Sequence, residues 1–235
     1  MTIEILKLLE GARRARGLAV IIDVFRAFSL ECYMADAGAE SIIAVGDKAK
    51  AYELKKKYPE ALLAGERKGI KLPGFDYGNS PSQTAGADLR GKTVIHTTSA
   101  GTQGLENAVH ASEIITGSLV NAKAISEYVK YRNPAHVSLV CMGVGGAEEA
   151  DEDNLCACYI KNLLEGRDID ISGEIEGLKT GTGARFFDPM LQEHCPEEDF
   201  WLCTRTNRFP FILEAEKTED GFEMVKREIV RDERF

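Results

Sequence analysis

Short apolar runs alternate with helical stretches along most of this chain, and that alternation restricts its possible folds more than any other feature. Residues 18–24 are apolar at every position but Asp23, the mark of a strand buried on both faces. A helical stretch follows at residues 29–38, then a short strand at 41–45. Residues 48–58 read as a surface helix stopped by Pro59, and 61–64 as a strand that opens into a long loop rich in Gly and Pro. Residues 93–97 form the next strand, leading into Gly101 and a helix through Val109. Strands at 113–116 and 137–141 flank a helix at 121–131, and residues 151–164 form a long helix. Such alternation implies a mainly parallel sheet covered on both faces, so the expected class is a three-layer α/β/α protein. After Gly166 the pattern weakens. Residues 186–203 are helical in parts, interrupted by Pro189 and Pro196, and residues 209–214 read as a strand at a sheet edge. The expectation is a single α/β domain over residues 1–235 with a C-terminal elaboration from about residue 167. An internal duplication stays open.

Composition narrows the class of partner. With 44% hydrophobic and 29% charged residues in 235, the chain can bury a substantial core. A net charge of -9 repels phosphate backbones, so nucleic acid is not an expected partner, although a local Arg/Lys cluster can still hold a small anion. Residues 1–10 lack the order of a signal peptide, and no apolar run approaches the roughly 20 residues that span a bilayer. A cytoplasmic protein without membrane attachment is expected, its six cysteines reduced and free of paired C-x-x-C spacing. The four histidines, His96, His110, His136 and His194, show no H-x-x-x-H spacing. A homodimer is left open as the oligomeric state.

In open α/β sheets ligands bind at the carboxyl ends of strands, and the residues there are suggestive. The first run ends in Asp23 with Arg26 three residues on, a carboxylate and a planar cation suited to phosphate, or simply a helix cap and a surface charge. The third ends in Gly65, Glu66, Arg67, Lys68, Gly69, Ile70 and Lys71, either a metal ligand beside an anion clamp or a solvated charged loop. Asn79, Ser80 and Pro81 read as a helix start whose free N–H groups could face an anion, or as a plain turn. Thr97, Thr98, Gly101 and Thr102 form a second cradle of that kind without Walker A spacing, and Ser118 and Asn121 follow the next strand. A glycine-rich loop at residues 143–146 precedes the acidic run Glu148, Glu149, Asp151, Glu152 and Asp153, which could reach a cation or complement a helix dipole. Carboxylate oxygens without Cys or His point to Mg²⁺ rather than zinc.

These motifs fall in the order seen in a known family. D-V-x-R-A at residues 23–27, G-E-R at 65–67, G-F-D-x-G-N-S-P at 74–81, T-T-x-x-G-T at 97–102, G-S-x-x-N-A at 117–122 and E-D-x-L-C-A at 152–157 resemble the 2-phosphosulfolactate phosphatases. The tail at residues 198–203, with Phe209 beyond it, is similar too. The resemblance implies the α/β fold of that family and a Mg²⁺-dependent phosphatase acting on 2-phospho-3-sulfolactate, a small anionic phosphorylated substrate, in coenzyme M biosynthesis. Two positions depart from the family pattern. The usual threonine run after D-V-x-R-A is Phe28, Ser29 and Leu30, and the usual T-T-N-G-T carries Ser99-Ala100 in place of its Asn.

Rival phosphatase chemistries fit poorly. A C-x5-R motif at Cys141 would need Arg where Ala147 stands, and a D-x-D motif at Asp23 would need Asp where Phe25 stands. A metal-activated water is therefore the favoured nucleophile, with a covalent intermediate left open. The expected metal ligands are Asp23, Glu66 and Asp153, with Glu152 in reserve. Phosphate is expected on the backbone N–H groups of Asn79, Ser80, Gly101 and Thr102, with Thr98, Ser118 and Asn121 nearby and Arg26 as the bidentate cation. Arg67, Lys68 and Lys71 are expected to clamp the second anionic group. A non-catalytic anion-binding protein and a lyase on a phosphorylated acid are the alternatives.

Overall fold

The computed structural model describes residues 1–229. Along the chain, β1 (Thr2–Lys7) and α1 (Leu8–Arg14) lead into β2 (Gly17–Ile22), α2 (Ala27–Asp36), β3 (Ser41–Ala44) and α3 (Lys48–Lys57). Then come β4 (Leu62–Arg67), β5 (Ile70–Lys71), α4 (Pro81–Thr84), β6 (Thr93–Thr97), α5 (Gly101–Asn107) and β7 (Ala111–Gly117). The remainder is α6 (Ala122–Arg132), β8 (His136–Cys141), α7 (Asp151–Leu164), α8 (Ser172–Leu178), α9 (Glu197–Cys203), β9 (Phe211–Lys217) and β10 (Phe222–Glu228).

The strands form one ten-stranded sheet in the order β1-β8-β2-β7-β9-β10-β3-β6-β4-β5. It consists of two parallel blocks, β1-β8-β2-β7 and β3-β6-β4, joined by the antiparallel hairpin β9–β10. Residues of β2 show why the sheet needs helices on both faces. Ala19 and Ile21 point into one apolar core with Ala12, Phe28 and Leu105, which come from α1, α2 and α5. Leu18, Val20 and Ile22 point into the other with Ile125, Cys156 and Ile160, which come from α6 and α7. Side chains alternate across a strand, so a run that is apolar at every position must be covered twice. The protein is thus α/β, with a mainly parallel mixed sheet between helical layers, as the sequence predicts.

Several elements differ from the sequence reading. Strand β9 lies inside the sheet rather than at its edge, between β7 and β10. It touches β7 through two residue pairs alone, Ile115 with Glu214 and Thr116 with Leu213, so its outer half keeps charged side chains at the surface although the strand is central. Strands β1 and β10 and helix α1 are additional, the two strands carrying charges between their apolar positions. Glu66 and Arg67 belong to β4 rather than to a loop, and Lys68 and Gly69, both at positive φ, close a two-residue hairpin onto β5.

The C-terminal ends of β2 and β6 come together although they belong to different blocks. Gly101, at the start of α5, donates its N–H to Asp23 Oδ2 at 2.9 Å. A Cβ at Gly101 would lie 2.9 Å from Ala27 Cβ and 3.0 Å from that Asp23 oxygen, so glycine permits this approach.

Candidate active site

Four carboxylates from three segments line one cavity of about 500 Å³: Asp23 after β2, Glu66 on β4, and Glu152 and Asp153 in the first turn of α7. All are buried, at 6%, 6%, 2% and 2% exposure respectively. Each is held by donors that fix its direction. Asp23 Oδ1 accepts from Ala27 N at 3.1 Å while Oδ2 takes Gly101 N. Asp153 Oδ1 accepts from Val24 N at 2.8 Å and Oδ2 from Gly143 N at 2.7 Å. Glu66 Oε1 accepts from Ser99 N at 2.7 Å, and Oε2 from Gly69 N at 2.7 Å and Ser99 Oγ at 3.0 Å. Thr182 Oγ1 donates to Glu152 Oε2.

At Asp23, Glu152 and Asp153 burial outweighs these donors. Asp23 is pushed up to about 6, first by burial and then by the neighbouring charges of Glu66 and Glu152. Burial raises Asp153 well above the usual carboxylate range, with Asp23 and Glu152 adding to it, and burial likewise raises Glu152. A set of buried anions that disfavour one another can accommodate a cation. Among the described residues no three His, Cys, Asp or Glu side chains close around a single point, so the protein alone does not complete a metal cage. A cation here would rest on one or two carboxylates and fill its shell with water and substrate oxygens. That is the habit of Mg²⁺, and the hard oxygens of the four acids suit it.

A second lobe of about 290 Å³ adjoins the first, sharing with it Arg26, Gly69, Ile70, Asn79 and His194. Its own lining adds Lys71, Gly78, Ser80, Gln83 and one carboxylate, Glu193. Arg26 is anchored at this junction. Its Nη1 donates to Asp199 Oδ2 at 2.6 Å in a buried ion pair, and Asp199 Oδ1 accepts Ser82 N at 2.8 Å. Asn79 Oδ1 is buried without a hydrogen-bond partner among the described residues.

The sequence model of one family, 2-phosphosulpholactate phosphatase, matches residues 4–218, a span that includes every segment contributing to both lobes. The chain belongs to this family. It is 32% identical over 205 residues to a probable 2-phosphosulfolactate phosphatase of Bacillus subtilis, covering 86% of this chain and 87% of the relative. A probable 2-phosphosulfolactate phosphatase of Carboxydothermus hydrogenoformans is 42% identical over 177 residues, 74% of this chain and 72% of the relative. One of Caldanaerobacter subterraneus subsp. tengcongensis is 38% identical over 207 residues, 82% and 85% of the two chains. Membership in this phosphatase family makes the chain a phosphoric monoester hydrolase, which displaces both alternatives left open by the sequence. Among the described residues no helix is long and apolar enough to cross a membrane.

Within this family member, the residues singled out by sequence divide into two groups. The cavity brings together Asp23, Arg26, Glu66, Lys68, Asn79, Glu152 and Asp153, with Lys71 and Ser80 on the second lobe. The others are engaged elsewhere. Arg67 turns away to donate to Gly46 O at 2.7 Å and Thr97 Oγ1 at 2.9 Å. Of the four N–H groups expected to cradle phosphate, two have partners within the protein: Gly101 N faces Asp23, and Thr102 N donates to Thr98 Oγ1 at 3.3 Å while Thr98 N donates to Thr102 Oγ1 at 3.0 Å. At the four-residue helix α4, Ser82 N serves Asp199. Ser118 and Asn121 cap each other, Ser118 N donating to Asn121 Oδ1 at 3.1 Å, and Ser118 Oγ lies 2.6 Å from Ser29 Oγ. These hydroxyl and glycine motifs hold the loops in place around the cavity.

Residues that sequence reasoning passed over come mainly from the irregular stretch after α7. Arg185 lines the larger lobe, its Nη2 donating to Phe25 O at 3.1 Å, and His194 lines both lobes. Neither lies in a periodic segment, so nothing local marks them. The departure residues Ser99 and Ala100 line the larger lobe, and Ser99 aims Glu66.

Proposed function

We propose that this chain is a Mg²⁺-dependent phosphatase that hydrolyses 2-phospho-3-sulfolactate, or a closely related phosphorylated, sulfonated or carboxylated hydroxy acid, to sulfolactate and phosphate. The observation that carries the reading is the pairing of two lobes: four buried carboxylates in one, and Arg26, Lys71 and Asn79 around the other. The names of the curated relatives support the substrate.

One or two of Asp23, Glu66, Asp153 and Glu152 would hold Mg²⁺, with water and substrate oxygens completing its shell; the chemistry it would supply is to neutralise phosphoryl oxygens and lower the pKa of a water. The chain's own contribution is orientation. Backbone N–H donors fix the directions of Asp23, Glu66 and Asp153, so little reorganisation is needed when the phosphoryl group arrives. Lys68 and Arg185 add positive charge on the larger lobe. Arg26, oriented by Asp199, stands where the phosphoryl group and the acid portion meet, and Lys71 lies where the sulfonate or carboxylate would extend. Binding of that remote anion would align the ester for attack.

Phosphate release across a panel of phosphorylated 2-hydroxy acids, with Mg²⁺ and with EDTA, tests the reading. Fast release from phosphosulfolactate with Mg²⁺ and loss in EDTA are expected. Release favouring unrelated esters, or undiminished in EDTA, would overturn the substrate or the metal respectively.

A further inference from the structure

We propose that His194 is the general acid of this phosphatase, the side chain that protonates the departing ester oxygen. The assignment rests on the two-lobe reading of the site. If the phosphoryl group occupies the carboxylate-lined lobe and the acid portion the cation-lined lobe, the scissile bridging oxygen sits where the lobes join. Among the described residues, Arg26, Gly69, Ile70, Asn79 and His194 line both lobes. Glycine and isoleucine have no exchangeable side-chain proton. An amide does not donate one at neutral pH, and arginine stays protonated in proteins. Arg26 is moreover tied to Asp199. Imidazole is the side chain that transfers protons near neutrality, and it is the one such group at this junction.

The surroundings suit the role. His194 is partly exposed, on the loop between Asp188 and α9, so its ring can be reprotonated from solvent after each turnover. Arg26 and Lys71 share the smaller lobe with it, Glu193 is its chain neighbour there, and Lys68, Arg185 and the four carboxylates share the larger lobe. Asn79 Oδ1, buried and without a protein partner among the described residues, is at the same junction and can accept from the hydroxyl that forms. In the step, a water oxygen bonds to phosphorus and the P–O ester bond breaks. The bond's electron pair stays on the ester oxygen, which takes the imidazolium proton. The attacking water's surplus proton passes to a cavity carboxylate and on to solvent, so ester and water become alcohol and phosphate.

The test uses leaving-group ability. An alkoxide needs a proton to depart, whereas 4-nitrophenolate leaves without one. Wild type, His194→Asn and His194→Gln are compared with Mg²⁺ on the alkyl phosphate of the panel that wild type hydrolyses fastest, and on 4-nitrophenyl phosphate. Loss of a general acid is expected to lower kcat on the alkyl ester about 100-fold or more, with KM little changed and the alkaline fall of the pH profile gone. On 4-nitrophenyl phosphate kcat should change less than about threefold, which also reports an intact fold. Equal losses on both esters, or an unchanged alkyl rate, would overturn the assignment while leaving the phosphatase reading in place. Absence of phosphate release by wild type from every alkyl ester would overturn both.

Discussion

Arg26 and Asp199, 173 residues apart in sequence, form an ion pair at 2.6 Å that solvent barely reaches. The pair joins the loop after β2 to α9, and through Ser82 N it also fixes the start of α4. Removing one partner of such a pair leaves an uncompensated buried charge, which costs about 3–5 kcal/mol. Asp199→Ala should therefore lower stability by about that amount in urea unfolding and weaken activity as Arg26 loses its orientation. Wild-type stability in this variant would show that the pair is not maintained in solution.

A pH effect follows from the buried carboxylates. Asp23 ordinarily titrates near 3.8, and in the fold it is pushed up to about 6 by burial and by Glu66 and Glu152. Between those values the folded protein holds a proton that the unfolded chain has released. Stability of the metal-free protein should consequently fall as pH rises through about 4 to 6, by on the order of 3 kcal/mol for this group. Mg²⁺ replaces the lost proton as counter-charge, so its stabilising effect should be larger at pH 7 than at pH 5. At 100 times its Kd it contributes about 2.7 kcal/mol. Melting temperatures in Mg²⁺ and in EDTA at both pH values check this. A Mg²⁺ shift that is absent, or greater at pH 5, would contradict it.

The three cations of the β4–β5 hairpin should no longer behave alike. Lys71 lines the smaller lobe, whereas the Arg67 guanidinium is spent on Gly46 O and Thr97 Oγ1. Lys71→Met should lower kcat/KM on phosphosulfolactate about tenfold or more, the worth of a charged hydrogen bond, and barely alter an aryl phosphate without the second anion. Arg67→Met should affect both substrates to the same extent. A selective loss in Arg67→Met would place its side chain at the substrate instead.

Much of the architecture was legible because strand burial is written as local pattern: residues 18–22 and 137–141 must be covered on both faces, and the sheet follows. The acids were legible for a related reason, since Asp23 and Glu66 sit at the ends of buried strands where a carboxylate has few structural uses. The cradle motifs are ambiguous in sequence because a glycine or hydroxyl beside a helix start binds an internal carboxylate as readily as a ligand. Gly101 N faces Asp23 and Ser82 N faces Asp199. Arg185, His194 and Asp199 were not legible as a set. They come from short turns, a 3-10 segment and the seven-residue α9, and tertiary packing rather than periodicity carries Arg185 and His194 to the cavity and Asp199 to Arg26.

The central claim is that the four-carboxylate cavity performs Mg²⁺-dependent phosphate release. It is tested most directly by the kcat of Asp23→Asn on phosphosulfolactate at saturating Mg²⁺, beside wild type with and without EDTA. Electrostatic groups at a reacting centre are worth about 100-fold or more each. The expected result is a kcat loss of at least that size in Asp23→Asn and near-complete loss of wild-type activity in EDTA. An unchanged kcat in the variant, or full wild-type activity in EDTA, would contradict the claim.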